Sequence, residues 1–143
     1  MAKHQDLAEA WIAGAKPKMT LGSMSFKGDE VFSWGTMIAR MVTIEAKTAI
    51  LVNSMQYGTS SSAHRGSVLR AIGDKFEIFM VPNLYLDHPY NIRHYQMLAD
   101  SYRDKLASAR TAHLHWLSLI SKTEAELARY RAFFRLDEKR IAA

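Results

Sequence analysis

The chain has 143 residues, 48% hydrophobic and 23% charged, with a net charge of +5 and no cysteine. That length accommodates one domain with a buried core, and the composition excludes wholesale disorder. No apolar run reaches the ~20 residues of a membrane span, the first residues carry no apolar signal core, and without cysteine there is no disulfide, thiolate metal site or thiol nucleophile. A cytoplasmic location is therefore expected.

A pI near 9.6 fits contact with nucleic acid or another polyanion without requiring it. The positive charge is spread and forms no basic arm: residues 88–143 hold ten Lys/Arg against six Asp/Glu.

In chain order, Leu7, Ala8, Trp11 and Ile12 predict a helix over 5–15, ended by Gly14 and Pro17. A first hairpin is expected from 23–26 and 31–34 around Gly28 and Asp29. A second pairs 37–44 with 48–53, turning at Glu45, Ala46 and Lys47. A helix over 61–72 should close at Gly73 in a left-handed cap, and a strand over 76–81 should stop at Pro82. In that helix His64 and Arg65 project near the apolar face of Val68, Leu69 and Ile72, while Ala63, Ser67 and Arg70 point away.

Beyond Pro89 the chain has no glycine or proline and reads as helix. Tyr95, Leu98, Tyr102, Leu106, Ala109, His113, Leu117 and Ile120 recur at three- and four-residue steps, a seam for packing against another helix or a sheet. Ser121 with Glu124, and Thr123 with Glu126, are capping-box patterns that predict a second helix start there. One helix over 90–121 would span about 48 Å at ~1.5 Å per residue, whereas a domain of this size has a radius of gyration of about 14 Å. The tail thus folds back near 118–123 or projects to meet a partner. The expected fold class is α+β in a single domain, with a core over 1–87 and a helical tail over 88–143. The core is a small antiparallel sheet of two hairpins plus one further strand, with one packed helix. The tail is a C-terminal helical hairpin or a projecting helical arm.

The candidate site is the junction where the apolar run 49–52 gives way to a helix: Tyr57, Thr59, Ser60, Ser61, His64 and Arg65 gather there. A helix start offers unpaired N–H groups and partial positive charge. Hydroxyls, an imidazole and a guanidinium beside it can bind a phosphate or a nucleic-acid backbone. The competing reading makes the hydroxyls ordinary caps and His64 a core-edge residue held by backbone or by a serine. No catalytic residue is assigned.

Ile50, Leu51, Val52 and Asn53, then Tyr57, Thr59, Ser60 and His64 before an apolar helix, resemble a pattern found in small proteins of tailed bacteriophages. There the strand ends in Asn, and a tyrosine and Thr-Ser-x-His lead into the helix. The match covers roughly residues 31–82. This chain departs from it with a longer serine run and Ala63 before the histidine. The resemblance implies a phage accessory protein and carries no activity with it.

His113 and His115 lie two residues apart, about 200° around a helix, so they do not pair on a metal. No zincin spacing, phosphate loop or nucleophile elbow occurs, and neither metal nor cofactor is expected. Asp29, Glu30, Asp137 and Glu138 read as solvated charge, and His88 as a turn residue. Most tail aromatics (Tyr90, Tyr95, Tyr102, Trp116) read as core. Tyr130, Arg131, Phe133, Phe134 and Arg135 crowd every face of the last helix, so some of them need a partner. Arg103, Arg110, Arg129, Arg131, Phe133, Phe134 and Arg135 form the candidate interaction set of the tail. The leading expectation is a non-enzymatic binding protein that engages a host macromolecule or nucleic acid through this tail, in host takeover, counter-defence or genome handling. The alternatives are a small phosphate-handling enzyme or anion-binding protein using 59–65, and a virion or assembly component. Self-association through the tail, as a homodimer, is also expected.

Overall fold

The computed structural model describes residues 3–55 and 58–136. Its first helix, α1, spans His4–Ala13. The Asp6 carboxylate accepts the Lys3 N–H at 2.7 Å, tying down a donor that the helix start leaves open. Gly14 follows at φ 67°, a conformation that costs glycine nothing and ends the helix.

Five strands then run as an antiparallel meander: β1 Lys18–Leu21, β2 Met24–Lys27, β3 Glu30–Ser33, β4 Thr36–Ile44 and β5 Lys47–Asn53. Helix α2, Thr59–Ile72, carries the chain back, and β6, Glu77–Val81, joins β5 in parallel. The sheet is therefore mixed and six-stranded, which corrects the expected antiparallel sheet of two hairpins. A helical crossover returns the chain to the end from which it left, so the strand after it runs parallel to the strand before it. β1 has only four residues, too few for their alternation to stand out in the sequence.

Each meander connection is a two-residue turn. Trp34 and Gly35 have φ 52° and 81°, and Glu45 and Ala46 have φ 49° and 68°. These are left-handed conformations that match the twist of the flanking strands. Glu45 and Ala46 hold them without glycine, at a cost in backbone strain.

α1 and α2 pack on each other, and their apolar faces (Leu7, Ala8, Trp11, Val68, Ala71, Ile72) meet Met24, Phe26, Val31, Ile50 and Val52 of the sheet. Full burial of Val68 or Ile72 contributes about 1.5–3 kcal/mol each. Trp11 Nε1 donates to the Gly28 carbonyl at 3.1 Å, so the indole is buried without stranding its N–H. Ser67 is buried too, contrary to the expected outward position, because α1 covers that side of α2. α2 begins two residues before the expected start. Its C-cap, Gly73, has φ 54° and ψ −123°, positive in φ as expected but outside the left-handed helical region.

The chain divides into two compact units, one ending at Leu84 and one beginning at Tyr85. The second is a helical hairpin of α3, His88–Ser108, and α4, His113–Phe133. Asp87 caps α3 by accepting the Tyr90 N–H at 3.1 Å. Contacts of Tyr95 with Glu126 and of Tyr102 with Trp116 make the two helices antiparallel. The tail thus folds back, but at 109–112 and not at 118–123. No glycine or proline marks the break. Ser108 Oγ donates to the Asp104 carbonyl at 3.2 Å, His113 Nε2 bonds the Ala109 carbonyl at 2.8 Å, and Ala112 turns the chain at φ 62° into an α4 whose start has no side-chain cap. Ser121, Thr123, Glu124 and Glu126 lie inside α4, where the Thr123 hydroxyl bonds back to the Leu119 carbonyl at 2.7 Å. The expected seam is correct for Tyr95 and for the partly buried Leu98, Tyr102, Leu106 and Ile120, but His113 and Leu117 face solvent. No helix among the described residues is long and apolar enough to cross a membrane.

Candidate functional site

The junction after β5 is organised by two side chains. Asn53 Oδ1 accepts the Met55 N–H at 3.0 Å while its Nδ2 donates to the Met37 carbonyl at 3.2 Å, closing an Asx turn onto the sheet. From α2, Arg65 Nη1 donates to the carbonyls of Asn53 and Met55 at 2.8 and 2.7 Å. The guanidinium is thereby committed to the backbone it emerges beside. Tyr57 lies outside the described residues.

His64 is 2% exposed and faces the sheet. Its Nδ1 is hydrogen-bonded to Ser33 Oγ at 2.7 Å, and Ser33 Oγ is bonded in turn to Ser61 Oγ at 2.8 Å. On the other side Nε2 lies 3.4 Å from Ser23 Oγ, and the His4 ring meets the imidazole edge-on at 4.4 Å. Burial depresses the His64 pKa below 6.5, and the neighbouring His4 depresses it further. The ring is therefore neutral near pH 7. Thr59 and Ser60 are exposed, and Ser60 Oγ accepts the Trp34 Nε1–H at 3.3 Å. Gly58 caps α2 without a side-chain bond, leaving N–H groups of the first turn to other acceptors.

The structure thus brings Ser60, Ser61 and His64 into one constellation with Ser23, Ser33, Trp34 and His4. It turns the charge of Arg65 inward and holds His64 neutral, so an anion here would be met by hydroxyls and N–H groups. Sequence reading missed Ser33, Trp34, Ser23 and His4. The chain separation is 31 residues for Ser33 to His64 and 41 for Ser23 to His64, and no spacing signal spans a meander.

The tail residues are dispersed over the hairpin. Arg103 Nη1 bonds Asp100 at 2.9 Å, and its Nη2 pairs with Glu124, beside a groove of about 390 Å³ lined by Tyr95, Ala99 and Leu127. Arg110, Arg129 and Arg135 are exposed, while Arg131 is half-buried with Nε shielded and unbonded. Phe134 is buried against Tyr130 and His88, with ring centroids 4.8 and 4.5 Å away, and Phe133 packs on Phe134. The Tyr130 hydroxyl anchors this end of the hairpin, bonded to His88 Nδ1 at 2.7 Å and accepting from Asn91 Nδ2 at 3.0 Å. Beside it, Tyr95 Oη donates to Glu126 at 2.6 Å.

Among the described residues, no group of three His, Asp or Glu side chains is placed to hold a metal ion. Compared with known proteins, the chain matches no family model, no curated protein and no solved structure.

Proposed function

We propose that the protein is a phage-type accessory protein that engages a host protein through its helical hairpin. The observation that carries this reading is apolar surface on the outside of a hairpin whose inner seam is already closed. Leu114 is 82% exposed, Met97 65% and Leu117 49%. Leu114 and Leu117 lie one turn apart on α4, and large exposed apolar side chains at that spacing mark an interaction surface. A protein partner fits better than nucleic acid, because Arg103 is held between two carboxylates and Lys105 lies over the Trp116 ring, 5.2 Å from its centroid.

The test is capture of a partner from bacterial lysate by the wild type and by Leu114→Glu combined with Leu117→Glu. Both positions are exposed, so the variant folds. Loss of one defined band in the variant supports the reading, and identical capture refutes it. Retention of nucleic acid that disappears steeply with added salt would move the function to phosphate contacts.

Self-association is a second reading, favoured by the outer face of α4. Leu114, Ser118 and Ser121 lie as far before Thr123 as Ala132, Ala128 and Ala125 lie after it, and all six are exposed. An antiparallel two-fold contact would set Leu114 against the partner's Ala132, large against small. Sedimentation giving a monomer at tens of micromolar refutes this reading.

A further inference from the structure

The Ser61, Ser33 and His64 chain has a chemistry that partner binding does not use. Ser33 and His64 are sealed from solvent at 1% and 2% exposure, whereas Ser61, one helical turn before His64, is partly exposed in the first turn of α2. From this arrangement we propose that Ser61 is a nucleophile for acyl transfer from small esters, activated through the Ser33 hydroxyl by His64.

A hydroxyl has one proton to donate. When Ser33 donates it to His64 Nδ1, 2.7 Å away, its oxygen accepts from Ser61 at 2.8 Å, and the Nε2–H of that tautomer is directed at Ser23 Oγ, 3.4 Å away. Hydrogen bonds then run in one direction, and the chain begins at the partly exposed Ser61. As Ser61 Oγ bonds to the ester carbonyl carbon, its proton passes to Ser33 and the Ser33 proton passes to His64 Nδ1. Collapse breaks the carbon–oxygen bond to the alcohol, which takes its proton from Ser33 Oγ as His64 Nδ1 returns one to Ser33, because the Ser61 oxygen now carries the acyl group. Water then attacks the acyl-serine and gives its proton to Ser33 Oγ as the Ser33 proton passes to His64 Nδ1. Release of the free acid restores Ser61 with that proton.

The uncapped first turn of α2 supplies N–H donors for the developing oxyanion. Trp34 adjoins Ser33, is 69% exposed and is bonded to Ser60, so it offers an aromatic wall that selects an apolar acyl group. Among the described residues no carboxylate is hydrogen-bonded to His64, which meets the Ser23 and Ser33 hydroxyls and the His4 ring. The relay therefore works as a weak base, and its effect belongs at the low end of general-base catalysis, about 10²-fold.

The experiment is labelling of the full chain with a fluorophosphonate, in which Ser61 Oγ bonds to phosphorus and fluoride leaves, followed by mapping of the adduct by mass spectrometry. The expected result is one adduct on Ser61, absent from Ser61→Ala. Labelling should slow at least tenfold in both Ser33→Ala and His64→Gln, of which the second keeps a polar group against Ser33. The wild-type rate should fall on acidification through the His64 titration, and Ser33→Ala should lose that pH dependence. The proposal is overturned by no adduct, by an adduct on Ser60 or Ser62, or by wild-type labelling rates in the folded relay variants. Any of these would leave the three groups as a pin between β3 and α2.

Discussion

Tyr130→Phe separates hydrogen bonding from packing at the base of the hairpin. The ring is fully buried and stacks on Phe134, His88 and Tyr95 at centroid distances of 4.8, 5.6 and 5.8 Å, contacts that phenylalanine retains. What disappears is one hydroxyl and its bonds to His88 Nδ1 and Asn91 Nδ2. Removing one partner from a buried polar group costs about 1–3 kcal/mol. Asn91, fully buried, belongs at the upper end and the half-buried His88 at the lower. The total is about 2–4 kcal/mol, which at a urea dependence of ~2 kcal/mol per molar lowers the unfolding midpoint by about 1–2 M. Urea titration followed by far-UV circular dichroism reads this directly. A midpoint within about 0.2 M of the wild type would refute the assignment of the hydroxyl as the anchor of the hairpin.

Four further outcomes are expected. Glu45→Asn combined with Ala46→Gly relieves two left-handed non-glycine residues in a two-residue turn and should raise stability by about 1–2 kcal/mol, read as a higher melting temperature. Leu117→Asp should change stability by no more than about 0.5 kcal/mol, because the side chain is half-exposed; a loss of several kcal/mol would place it in the seam after all. Burial depresses the pKa values of His64, His88 and His94, with His4 adding to the effect at His64 and Asp87 and Glu126 opposing it at the other two. Their contribution is complete above pH 6.5 and is lost as pH falls through the depressed values, so the melting temperature should drop on acidification from neutrality. At the alkaline end burial pushes Tyr130 up to about 12. The stability this carries is present below pH 10 and is lost as pH rises towards 12, and a tyrosine absorbance titration complete near pH 10 would contradict it.

Local chemistry wrote much of the fold into the chain. The Leu7, Ala8, Trp11 stripe, the glycines that close α1 and α2, the turn at Gly28 and the alternation along β4 each act over a few residues and can be read in isolation. The absence of breakers after Pro89 likewise announces helix. The direction of β6 and the orientation of Leu117 depend on what the segments pack against, and no local signal encodes that. The same divide runs through the candidate site. The hydroxyl run, His64 and Arg65 stand out in the sequence as a site for charge. Only the folded chain sets Ser33 against His64 and Ser61, turns Arg65 onto the carbonyls of Asn53 and Met55, and leaves the imidazole buried and neutral. Hydrogen-bond partners brought together by a meander are fixed by strand register, a property of the assembled sheet and not of any short stretch of residues.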